Sequence, residues 1–387
     1  MHISLKRRGL RTSLTLVAAS AAALSAAAIA SAHAATNHSS SPRPSACAVK
    51  AQGSTHVGRF GGIVRAMPTK AACQVHHASD PANGTPPLWF HGGNVMGTRS
   101  AGVTVTPIFW NPAGHPMGLA YKRIIKTYLA GVAAESGNHT NVFSTLNEYF
   151  GTNGAIHYKI SLGTPINDTS PLPASGCTVD PADTTAIYGD NSGYNACLDD
   201  DQVIAETNSV IGANHFPINL SHIYVLFLPK HVESCFFSGS TTTAANACTI
   251  NHQPSAAYCA YHSFAPSRAV YANMPFPIYN SPVGFTCSSD ARFPVVQTPN
   301  GNADADTEVS PTSHEIMEAI TDPDVNTGWY DSSGFENGDE CAYVFGVTHG
   351  SPGSLYNQVI NGHHYLTQEE FSNRDFLKTG NGCLPSE

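Results

Sequence analysis

His314, Glu315 and Glu318 lie in the stretch SHEIMEAITDP, residues 313–323, at a spacing that suits a metal site. Residues four apart meet on one face of a helix, so the His314 imidazole and the Glu318 carboxylate can share a cation. Glu315 then stands beside the ion, placed to deprotonate a bound water. A divalent ion lowers the pKa of that water toward neutrality and polarises a carbonyl, which is the chemistry of amide hydrolysis. At roughly 100° per residue, His314, Glu315, Glu318, Thr321 and Asp322 share one side of the helix, and Ile316, Met317, Ala319 and Ile320 take the other. A solvated surface helix carries a polar stripe of the same kind. The charge balance separates the two readings. Between Arg292 and Arg374 there is no Lys or Arg, while 13 Asp and Glu occur. Carboxylates at that density repel one another unless they are exposed or neutralised by a bound cation.

In the His-Glu-x-x-His motif of zinc peptidases the second histidine is the second ligand; here Glu318 stands in its place. His314 to Asp324 is a step of ten residues, the spacing at which the metzincins, a family this stretch resembles, carry their third ligand. Asp324 is therefore the expected third ligand, with Glu336 and Asp339 in ENGDEC as rivals. Thr321 stands where that family has a turn glycine. Mixed nitrogen and oxygen donors suit Zn2+, and a larger share of oxygen donors suits Ca2+ or manganese. Tyr330 and His262 are the candidates to steady an oxyanion.

The element that must present these groups is a helix over 311–321. Ser310 is its cap, Pro311 its first residue and Pro323 its stop. Upstream, VTVTPIFW (103–110) alternates like a half-buried strand and LAYKRIIKTYLAGVAAE, from Leu119, reads as a helix. TNVFSTLNEYF (140–150) follows as a shorter helix capped by Thr140 or Asn141. Strands are expected at 155–162, 222–229 and 268–276, and a helix near 199–212, with the segment YCAYHS (258–263) just ahead of the last strand. HIYVLFLP (222–229) is continuously apolar, as a central strand covered on both faces would be. The alternation predicts α/β or α+β architecture: a mixed β-sheet packed by helices, a zincin-like core and disulfide-stapled loops. Residues 302–306 alternate Asn and Asp like the start of a calcium loop but lack its later glycine and glutamate, which argues against an EF-hand.

The first residues read as an export signal. Lys6, Arg7, Arg8 and Arg11 precede an Ala-rich apolar run that ends at Ala32-His33-Ala34, a small-x-small cleavage site. The expected organisation is a signal peptide over 1–34, a flexible or pro-like segment over 35–85 and one domain over 86–387. A formal net charge of −9 without a basic patch argues against nucleic acid. All ten cysteines lie beyond the signal, so up to five disulfides are expected in an extracellular chain. Cys47–Cys73, Cys177–Cys197 and Cys341–Cys383 are the easiest closures. No Gly-x-Ser-x-Gly elbow supports a serine hydrolase. His91, in FHGG, and the pair His363-His364 are explained as well by surface hydrogen bonding as by metal binding.

FHGGNVM, VTVTPIFWNP, YVLFLP and YCAYHS, in that order, resemble the EXORDIUM or phosphate-induced protein family of exported proteins. SHEIMEAITDP, GWYD, ENGDECA and EEFSN are similar to its bacterial relatives, which keep a His-Glu helix. The resemblance spans about residues 88–384 and implies a secreted, wall- or surface-associated protein; it supplies no substrate. Two readings follow. One is a secreted zinc endopeptidase acting on a polypeptide as a monomer, with His314, Glu318 and Asp324 binding metal and Glu315 as base. The other is a non-catalytic cell-surface or glycan-associated protein whose cation holds loops together. They divide on Glu315: an enzyme needs it free beside an open coordination position, and burial or a salt bridge there removes catalysis.

Overall fold

A computed structural model describes residues 61–68, 88–98, 101–243, 245–250 and 257–384. The signal segment, most of 35–85, Cys47 and Cys73 lie outside them. The strands of the main sheet are β1 (Gly61–Arg65), β2 (Val103–Trp110), β3 (Ile160–Leu162), β4 (Ile166–Asp168), β5 (His222–Phe227), β6 (Tyr258–Phe264) and β7 (Val270–Met274). Their order is β1-β6-β7-β5-β2-β3, with β4 also pairing with β2. β7, β5, β2 and β3 run parallel; β6 is antiparallel to both its neighbours, β7 and β1. The sheet is thus mixed, and β5 is central as its apolar run predicts.

Three helices cover this sheet: α1 (Leu119–Ala134), α2 (Asp200–Ala213) and α3 (Ala303–Thr321). Strand alternation sorts the core into two layers. Val105, Phe109, Ile223, Val225, Val270 and Ala272 join α1 and α3 in one apolar cluster. Ile108, Trp110, Tyr224, Leu226 and Tyr271 join Val203 and Ile204 of α2 in another. No helix among the described residues is long and apolar enough to cross a membrane.

Local chemistry accounts for most helix ends. Asp199 and Gln202 close a capping box at the start of α2. The Asn141 side chain caps Val142–Glu148, which is a 3-10 helix rather than an α-helix. α3 departs from expectation, since it begins at Ala303, eight residues before Pro311. Asn302 caps it by accepting from Ala305 N at 2.9 Å, with Asp304 and Asp306 in the first turn. Pro311 therefore sits inside the helix. A proline there forfeits one ladder hydrogen bond, a loss that burial of nearly the whole helix offsets.

Four disulfides join described cysteines. Cys177–Cys197 and Cys341–Cys383 are the expected closures, and Cys235–Cys248 and Cys259–Cys287 are additional. Cys341–Cys383 ties the segment following Glu340 to the C-terminal end.

Candidate metal centre

α3 lies against β6, β7 and β1, and the loop 336–341 closes over it. His314, Glu315, Glu318 and Glu336 have no exposed surface at all, and Asp339 is buried with them. The polar stripe of the helix is therefore interior. Its partner is His262 on β6, likewise fully buried, so the strand and the helix together bring both imidazoles among the carboxylates.

The atoms fall into two groups that share Glu318. On one side His314 Nε2 lies 2.9 Å from Glu318 Oε1 and 3.5 Å from Asp339 Oδ1. On the other, His262 Nδ1 lies 3.4 Å from Glu315 Oε2 and 4.0 Å from Glu318 Oε2, and its Nε2 is 3.8 Å from Glu336 Oε2. In His262–Glu318–Glu336 and in His314–Glu318–Asp339, one donor atom per residue lies within 4.8 Å of the others.

The directions of these contacts matter as much as their lengths. Glu318 Oε1 accepts from the backbone amides of Gly338 at 3.0 Å and Asp339 at 2.9 Å. His314 Nε2 is as close, yet that oxygen lies off the direction in which the ring nitrogen would donate. Neighbouring ligands of one cation stand in this relation, their lone pairs aimed at a common point rather than at each other. Among the described residues no donor reaches Glu318 Oε2 or either oxygen of Glu315. A buried carboxylate without donors is costly unless it is protonated or bound to a cation.

The titration behaviour has the same cause. Burial drives the Glu315 carboxyl well above the ordinary range, with Glu318 and Asp339 adding to the rise. Glu318 is pushed up to about 7 by burial and then by Asp339. Burial alone would push His314 down, but Glu318 and Asp339 outweigh it and hold the imidazole well above its usual value. Glu336 is raised by burial, then by Glu318 and Asp322. A proton on His314 offsets one of the two carboxylate charges beside it, as a cation would offset both.

Two side chains near the centre have no counterpart in the sequence reading. Glu370 is fully buried, close enough to His314, Glu318 and Asp339 to be raised further by the two carboxylates after burial itself. Arg65 on β1, lowered chiefly by its own burial, feels the Asp339 charge. Gly338 is required sterically, because a Cβ there would meet His314 Cγ and Nδ1 at 2.7 Å and Glu318 Oε1 at 2.9 Å. No local signal marks Glu370 or Arg65. Gly338 stands among three carboxylates in ENGDEC, two of which, Glu336 and Asp339, the sequence did mark.

The expected third ligand is not brought in. Asp324 belongs to neither donor group; its carboxylate accepts from Arg268 at 2.6 Å in a partly exposed pair. The reason is the end of α3. Asp322 takes backbone amides from Asn326 at 2.8 Å, Thr327 at 3.1 Å and Gly328 at 2.7 Å, folding the chain sharply after the helix. Asp324 then lines a surface cavity with His91, Gly93, Arg268 and Thr327. Tyr330 is also committed elsewhere: its ring stacks on His91 with centroids 3.6 Å apart, and its hydroxyl donates to Asn326 O at 3.2 Å. The rivals Glu336 and Asp339 do join His314, Glu318 and Glu315.

Comparison with protein-family models, with curated proteins and with solved structures yields no match for this chain.

Proposed function

We propose that this chain is an exported metalloprotein in which α3, β6 and the loop 336–341 close around a divalent cation, and that the cation fastens this loop to the sheet. One observation carries the reading: Glu315 and Glu318 bury three carboxylate oxygens that no described donor reaches, facing two imidazoles. Imidazole nitrogen with a few carboxylate oxygens is a zinc-type set, so zinc is the first ion to try, and calcium the second if carboxylates outnumber imidazoles around the ion. Glu315 supports the structural role over the catalytic one. It is enclosed, and its carboxylate lies 3.4 Å from His262 Nδ1. The surface-associated role implied by the EXORDIUM-type motifs agrees with such a protein.

A secreted zinc endopeptidase is the second reading, with the bound ion supplying an activated water and Glu315 taking its proton. Full burial of Glu315 counts against it, and β6, which carries His262, lies between β1 and β7 rather than at the edge of the sheet.

The test is metal content by mass spectrometry on purified wild type and His314→Ala, with casein cleavage assayed on both. One or more zinc ions per chain in wild type and fewer in the variant, without cleavage by either protein, supports the enclosed centre. Zinc and cleavage that fall together favour the peptidase. Negligible metal in both sinks the two readings alike.

A further inference from the structure

We infer that the centre is built for two divalent cations bridged by the Glu318 carboxylate, an inference that rests on the proposal that these buried donors bind metal at all. The two donor groups share Glu318 and nothing else, and no group contains both histidines. Ligands held about 2.1 Å from one tetrahedral ion lie roughly 3.4 Å apart. His314 Nε2 stands 2.9 and 3.5 Å from its two partners, and one His262 nitrogen lies within 4.8 Å of Glu318 and Glu336, so each group suits one ion.

Glu318 is set up to bridge. The amides of Gly338 and Asp339 fix Oε1 on the His314 side, which sets the plane of the carboxylate. Oε2, which no described donor reaches, then faces the His262 and Glu336 side. Paired catalytic or structural ions typically stand about 3.5–4 Å apart, a span that the two oxygens of one carboxylate can bridge. Glu315, fully buried and with both oxygens free of described donors, lies 3.4 Å from His262 Nδ1 but belongs to neither donor group.

Charge gives an independent reason. Glu315, Glu318, Glu336, Asp339 and Asp322 bury five carboxyl groups in an interior with almost no exposed surface, and Asp322 acts directly on Glu336. Ionised, they carry more charge than one divalent ion offsets.

The experiment uses the secreted full chain with its disulfides intact, saturated with Zn2+ and weighed by native mass spectrometry. A second aliquot is loaded with Mn2+ for electron paramagnetic resonance. The expected result is two zinc ions per chain and an exchange-coupled manganese pair. His314→Ala and His262→Ala should each retain one ion, and Glu318→Gln should weaken both sites at least tenfold. One ion per wild-type chain, with an uncoupled manganese signal, overturns the bridged pair and leaves the single-ion proposal standing. No ion bound by wild type overturns the metal reading itself. The wild-type measurements decide the matter even if a variant fails to fold.

Discussion

On the proposed metal reading, removing the cation should reverse how stability depends on pH, and the size of the effect follows from Glu318. Its carboxyl is raised from 4.5 to about 7 in the folded chain. Between those values the folded state holds a proton that the unfolded state has released, so stability falls as pH rises through the window. A rise of that size corresponds to about 3 kcal/mol, at roughly 1.4 kcal/mol per pH unit. His314 acts in the same direction: its raised imidazole contributes stability below its unfolded value that is lost as pH climbs through the folded one. With the ion bound, the same groups are wanted deprotonated, affinity rises with pH, and the stabilisation is largest at neutrality. Glu233 and Glu308, buried away from the centre, add a falling slope that chelation does not alter. The difference between the two curves therefore reports the centre alone. The assay is guanidinium unfolding followed by tryptophan fluorescence at pH 5, 6 and 7, with excess EDTA or with excess Zn2+. The expected outcome is a gap of about 3 kcal/mol or more at pH 7 that narrows toward pH 5. Superimposed curves, or a gap that widens in acid, would refute the reasoning.

Three substitutions probe the surroundings. Gly338→Ala drives a Cβ into the His314 ring and Glu318; zinc affinity measured by competition with a chromophoric chelator should fall at least tenfold, and stability by about 1–3 kcal/mol. Opening Cys341–Cys383 with serines releases a 42-residue loop, which the chain-entropy estimate values at about 4 kcal/mol; the denaturant midpoint should drop, and metal should be released more readily because the loop bearing Glu336 and Asp339 loses its tether. Asp324→Ala breaks only the partly exposed pair with Arg268; metal content should be unchanged and stability should move by less than about 1 kcal/mol. Metal lost in this last variant would restore Asp324 as a ligand.

Where a property depends on residues adjacent in the chain, the sequence alone determined it. The i, i+4 spacing of His314 and Glu318 placed them on one helical face whatever the rest of the fold did. The apolar run at 222–229 suits a strand covered on both sides better than an edge strand, and β5 is such a strand. The strand at 103–110 and the start of α1 at Leu119 were fixed by local pattern, and Cys177–Cys197 and Cys341–Cys383 are closures between neighbouring cysteines. The early start of α3 was harder to see. Pro311 after Ser310 is a strong local start signal, and only packing of both helix faces makes a proline tolerable in the interior.

What the tertiary structure decided were the contacts between segments distant in sequence. His262 reaches Glu315 because β6 lies over α3, and no periodicity links residues 53 positions apart. Asp339 and Glu336, not Asp324, stand beside the histidines because three backbone amides on Asp322 turn the chain aside, a hydrogen-bond geometry that ligand spacing does not encode. The sequence also shows a long stretch without Lys or Arg, yet β1 delivers Arg65 to Asp339 from outside it. Above all, burial was undecidable from the helix alone. A stripe of one histidine and three carboxylates reads as a solvated face or an open cleft until the sheet, β1 and the loop 336–341 are seen to enclose it. Enclosure is what raises the carboxyls, leaves their oxygens without donors and makes a cation the natural partner.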